Sequence, residues 1–127
     1  MKEEGKMKFA YIAHPVSGDI KGNLIKVAEI GRIINLNESN VVPISQFFFD
    51  CHCLNDDVPK ERERGIKNDT AILNSGLITE MRLYGNRISS GMRNEIRMAR
   101  GLNIPVIPMT KETDKEFISL LTKGEWI

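Results

Sequence analysis

Two acids stand where helix periodicity calls for apolar side chains. Between Gly91 and Leu102, the residues Met92, Glu95, Ile96 and Ala99 fall at i, i+3, i+4 and i+7, the stripe that a helix turns toward its packing partner. One helical segment earlier, Ile66, Asp69, Thr70 and Leu73 repeat that spacing with Asp69 inside it. A carboxylate buried without partners costs on the order of several kcal/mol. Each acid must therefore be paired, hydrogen-bonded or open to a cleft, and in a cleft two carboxyl groups can divide nucleophilic and acid roles between them. For Glu95 a surface reading also stands, at the edge of its stripe and paired with Arg93 or Arg97.

Other groups could bind rather than react. Ser89, Ser90 and Gly91 precede Glu95 and offer hydroxyls and backbone N–H groups at a helix N-terminus, which suits an anion such as phosphate. A serine there also has a purely structural use as an N-cap. Ser17 and Gly18 lie in the first strand-to-helix turn, with His14 just before them and Asn23 just after. No Gly-x-Gly-x-x-Gly or Gly-Lys-Ser/Thr motif accompanies them, which argues against dinucleotides and triphosphates. Tyr11, in the first strand, reads either as core or as a hydroxyl aimed at a site. The two histidines, His14 and His52, have no Ser or Cys nucleophile and Asp around them in a triad pattern. Cys51-His52-Cys53 lacks a second ligand pair with zinc-like spacing, so no metal is expected.

The elements that must position these groups alternate. Strands are expected at 7–13, 41–44, 77–84 and 104–108, and helices at 21–36, 59–75, 91–102 and 111–123, with an irregular stretch at 45–58 that holds three phenylalanines. Such alternation predicts α/β class: a doubly wound open parallel sheet of four to five strands with helices on both faces, flavodoxin/Rossmann-like. Ligands bind outside the carboxyl ends of such strands, and Glu95 lies about one turn into a helix starting at such an end. Glu80 and Arg82 resist this pattern, since a covered central strand should not hold them unless its ends are exposed or its boundary lies elsewhere.

With 127 residues, 1–127 reads as a single domain. Hydrophobic residues at 41% and 10 glycines match an ordinary globular composition. A net charge of +1, from 18 basic and 17 acidic residues, supplies no field for a nucleic-acid polymer or an anionic membrane. No run reaches the roughly 18 apolar residues of a membrane span. Met1 to Lys8 contains acids and lacks a signal peptide's apolar segment, so a cytosolic, thiol-reducing compartment is expected.

The residues resemble the nucleoside 2-deoxyribosyltransferase-like family, which includes nucleotide N-glycosidases and small phage and bacterial relatives. The resemblance covers most of the chain: Tyr-Ile-Ala-His-Pro at 11–15, Asn23 and Ala28, Arg64 to Asp69, and the block from Ser89 to Ala99. That last block is similar to the family signature Ser-x-Gly-x-x-x-Glu-x-x-x-Ala. The resemblance implies that Glu95 is the nucleophile, Asp69 the acid at the leaving base and Tyr11 the hydroxyl that orients the nucleophile. Ser89 would sit at the 5′ end of the sugar, with Ser90, Gly91, His14, Ser17, Gly18 and Asn23 around the substrate. Departures are His14, where many members have Gly, and Ser75-Gly76, where many have an Asp. The 45–58 segment, which should cover the base, resembles no member closely.

The activity implied by the resemblance is cleavage or transfer of the N-glycosidic bond of a (deoxy)nucleoside or 5′-monophosphate. It needs no cofactor, and the resemblance further implies a homo-oligomer. A carboxylate beneath C1′ stabilises an oxocarbenium-like state and captures it as an ester, while a second acid protonates the base. The helix dipole should keep Glu95 ionised, and an apolar setting should raise the pKa of Asp69. Two other classes remain: a non-catalytic nucleotide-binding module of the same fold, and an interaction protein whose Phe47 to Phe49 patch meets a partner.

Overall fold

The computed structural model describes residues 6–124. The expectations that reach residues 1–5 and 125–127, the leader reading and the two ends of the 1–127 domain among them, lie outside the described residues. The chain runs β1 (Lys8–Ala13), α1 (Ile20–Asn37), β2 (Val41–Ile44), α2 (Gln46–Cys53) and α3 (Pro59–Leu73). It continues with β3 (Glu80–Leu83), α4 (Ser90–Gly101), β4 (Val106–Pro108) and α5 (Lys111–Thr122). The four strands form one parallel sheet in the order β2-β1-β3-β4. Helices cover both faces, which makes this a doubly wound α/β sheet.

Register determines which residues share a face, because side chains alternate along a strand. Tyr11 lies beside Met81, and Ala13 beside Leu83. This face carries the main core, in which Leu73 of α3, Met92, Ile96 and Ala99 of α4, and Phe117 and Leu120 of α5 are buried. On the opposite face Ala10 and Ile12 pack with Ile34 of α1 and Val41. Ile33 and Ala28, which the α1 pattern would also bury, are exposed.

β1 is central, and the chain leaves its end toward α1 while it leaves the end of β3 toward α4 on the other face. The two departures open the crevice between β1 and β3, the topological switch point where ligands bind in such sheets. Asp19 caps α1 through the Gly22 N–H at 3.0 Å, and Ser89 caps α4 through the Met92 N–H at 3.2 Å. Beside the crevice Gly85 adopts a φ of 94°, and a Cβ there would lie 2.6 Å from the Pro15 ring. Glycine lets the end of β3 pass close to the His14-Pro15 turn.

Several expectations are corrected. The stretch at 45–58 is irregular only beyond Cys53, since residues 46–53 form α2. Its eight residues are too few for a sequence period to stand out from a run of aromatics. Phe47 is buried against Leu24 and Val27 of α1 while Phe49 is 65% exposed, so the three phenylalanines do not form one outward patch. β3 spans four residues rather than eight, and its Glu80 and Arg82 are buried, not at exposed ends. Arg82 donates to Glu80 at 2.6 Å and forms a two-pronged pair with Glu38 at 2.8 and 2.9 Å. Ile66, assigned to the α3 stripe, is 57% exposed.

Candidate active site

The crevice holds a cavity of about 310 Å³, and seven of the ten residues proposed from sequence line it: His14, Ser17, Asp69, Ser89, Ser90, Gly91 and Glu95. Tyr11 lies behind the wall, buried in β1, and its hydroxyl donates to Glu95 Oε2 at 2.5 Å. Gly18 and Asn23 are not lining residues. Gly18 turns the loop at a φ of 97°, and the Asn23 side-chain amide donates to the Val16 carbonyl at 3.0 Å, tying that loop to α1.

Glu95 occupies the stripe position that its spacing predicts. Met92, Ile96 and Ala99 are buried around it, and it is partly buried. Its partner is Tyr11, whereas the Arg97 guanidinium turns to Asn94 at 3.0 Å. Burial pushes the Glu95 carboxyl up to about 8; the Tyr11 hydrogen bond opposes this, and the charge of Asp69 adds to it. The expectation that Glu95 is kept ionised is therefore corrected, because desolvation outweighs the single hydrogen bond that favours its charge. Asp69 has the raised pKa expected of it, at about 7, from burial first and then from the charge of Asp50. Its Oδ1 is buried without a hydrogen-bond partner. A polar atom so placed costs on the order of 1–3 kcal/mol, and in a cavity wall it is a position for a ligand's polar atom.

The rest of the wall is polar at one end and apolar at the other. Ser89 Oγ accepts the Met92 N–H, while its own proton is free to turn toward a ligand. As the first residues of α4, Ser90 and Gly91 have N–H groups with no acceptor inside the helix. His14 is buried with its Nδ1–H directed at the Pro15 carbonyl at 2.7 Å, and burial pulls its pKa down. Phe47, Leu54, Ile66 and Leu73 form the apolar end. Among the described residues no cluster of His, Cys, Asp and Glu could hold a metal ion. His52 instead lies over Phe48 and points Nδ1 at its carbonyl.

α2 supplies what sequence reasoning missed. Phe47, Asp50, Cys51 and Leu54 all line the cavity, and Asp50 is 6% exposed. The signal was present: these residues fall at i, i+3, i+4 and i+7, with an acid inside the stripe, as in the segments that revealed Asp69 and Glu95. Asp50 accepts from Gln46 Nε2 at 3.0 Å and from Asn68 Nδ2 at 3.2 Å, so α2 is fastened to α3 one residue from Asp69.

No curated protein and no solved structure matches the chain significantly. A family model described as a domain of unknown function, DUF7768, matches residues 8–109. That span holds all four strands and every lining residue of the cavity, and leaves out α5. The match covers most of the sequence, and the chain belongs to the DUF7768 family.

Proposed function

We propose that the protein cleaves or transfers the N-glycosidic bond of a nucleoside or nucleoside 5′-monophosphate through an ester on Glu95. The observation that carries this reading is one cavity in which Glu95, held by Tyr11, stands with Asp69, whose inner oxygen has no partner. The C1′–N bond breaks with its electron pair passing to the base, and the proton of Asp69 goes to that base. The Glu95 carboxylate bonds to C1′, with Tyr11 orienting it. Water or a second base then attacks C1′, giving a proton back to the Asp69 carboxylate, and the C1′–O bond to Glu95 breaks with its electron pair returning to the Glu95 carboxylate. The resemblance of the 89–99 block supports the assignment of roles, and the apolar end of the cavity suits a base. The resemblance also favours a homo-oligomer, and the acids near the N-terminus with the Cys51-His52-Cys53 run favour the cytosol.

The two acids have carboxyl pKa values near 7 and 8 in the order opposite to their roles, since Asp69 must keep its proton and Glu95 must lose it. Only a minor fraction of molecules then carries the productive arrangement at any pH. The kcat/KM profile is expected to be bell-shaped, with breaks near 7 and 8.

The test is chromatography of nucleosides and 5′-monophosphates incubated with the protein. Release of free base is expected, and Glu95→Gln should lower turnover by about three orders of magnitude or more, the scale of losing a covalent catalyst. A 2-fluoro sugar should leave a mass adduct on the peptide containing Glu95. An inert wild type, or an active Glu95→Gln variant, would favour the nucleotide-binding module instead.

A further inference from the structure

Asp50 has no part in the chemistry above, yet it is a buried acid in the same cavity. It accepts one amide N–H at each carboxylate oxygen, from Gln46 within α2 and from Asn68 of α3. Asn68 is oriented in turn by the Arg64 Nε–H, at 3.0 Å from its side-chain oxygen. Each Asp50 oxygen thus has a partner, while Asp69 Oδ1, on the residue after Asn68, is without one. An acceptor-only arrangement is the role of a carboxylate, and a fixed negative charge beside a second acid favours the second acid's neutral form.

We propose that Asp50, fixed by Gln46 and Asn68, is a positioning residue that makes Asp69 the proton donor of the cavity. The surroundings agree. Tyr11 and Glu95 face Asp69 from β1 and α4, and their own titrations respond to its charge. Cys51 of α2, and Asp56 in the loop beyond it, add a thiol and a further acid. Glu61 and Arg62 at the start of α3 are opposite charges on the cavity rim. His14 is buried on the β1 side and its pKa is pulled down, so it contributes no cation there at neutral pH. Burial is the larger influence on Asp69, and Asp50 is the charged group that adds to it. The inference rests on the acid role given to Asp69.

The experiment is a pH titration of the Asp69 carboxyl carbon by NMR in wild type and Asp50→Asn. It needs no substrate, so it stands or falls separately from the nucleoside reading. The Asp69 midpoint is expected to fall by about one pH unit in Asp50→Asn and to stay in place in Asp50→Glu, which keeps the charge. Should Asp50→Asn fail to fold, Asp50→Ser removes the same charge and is titrated in its place. If a nucleoside is turned over, the lower break of the pH profile moves down with the midpoint, and turnover above the optimum falls about tenfold. An unmoved Asp69 midpoint in a folded variant that lacks the Asp50 charge would overturn the proposal. Inert nucleosides with the midpoint shifted would overturn the nucleoside reading and leave the Asp50–Asp69 coupling standing.

Discussion

The two faces of the sheet both bury acids, and they treat them in opposite ways. On the α1 face, Glu80 and Glu38 converge on Arg82, which donates through Nε, Nη1 and Nη2. The guanidinium pulls the Glu38 carboxyl down, and Glu38 holds the Arg82 proton more firmly. On the α3–α4 face, none of the ion pairs seen among the described residues involves Asp69 or Glu95; both carboxyls are pushed up, and Asp69 Oδ1 is left without a hydrogen-bond partner. A folded chain gains nothing structural from the second arrangement. Acids paired with a cation belong to the architecture, and acids left without one in a cavity are the candidates for chemistry.

The largest effect that could break this comparison is on the paired face. Arg82→Met leaves Glu80 buried without its cation, and removal of one partner from a buried pair typically costs about 3–5 kcal/mol. Urea unfolding should show a loss of that size, and replacing Glu80 and Glu38 by Gln in the same variant should recover part of it. Any turnover of nucleosides that survives at permissive temperature should keep its pH profile. A profile that moved would mean that the two faces are not separable.

On the unpaired face the signs reverse. The Glu95 carboxyl titrates near 8 in the folded chain against an unfolded value of 4.5, so between those values the folded state keeps a proton that the unfolded state releases. Stability therefore falls as pH rises through that window and levels off above it. Glu95→Gln removes this dependence. Relative to wild type it should be about 2–4 kcal/mol more stable at pH 8 and nearly equal at pH 4, measured by urea unfolding at both. A variant less stable than wild type at pH 8 would mean that the Tyr11 hydrogen bond outweighs the desolvation of the acid.

The same contrast explains what could be read from the sequence. The alternation of elements, the sheet class and the stripes holding Asp69 and Glu95 were legible, because each rests on a period extending over two or more turns. Glu80 and Arg82 were visible as anomalies but not as a pair, since their third member, Glu38, is 44 positions from Arg82 and only the fold brings it near. Asp50 carried the same stripe signal as the other acids, but it sat in an eight-residue helix beside three aromatics, where composition suggested a loop. The direction of the Glu95 shift was not legible either. It depends on how deeply the cavity wall covers the carboxyl, and no local pattern encodes that depth.

The smallest expected effect sharpens the comparison at the polar end of the cavity, where Ser89 has a structural and a binding role at once. Its Oγ accepts the Met92 N–H as the cap of α4, so Ser89→Ala should cost about 1 kcal/mol of stability whatever the ligand. If the α4 N-terminus also holds a 5′-phosphate, as the resemblance implies, the lost hydroxyl should weaken use of the monophosphate more than use of the free nucleoside. Ser89→Asp separates the two roles. Aspartate caps a helix as well as serine and suits the dipole, so stability should return to the wild-type level. Its charge would meet a phosphate head-on, whereas a nucleoside 5′-OH can donate to it. KM for the monophosphate should therefore rise well beyond the alanine value, with KM for the nucleoside little changed. Equal changes for both substrates would confine Ser89 to capping and place the phosphate, if one is bound, away from this helix end.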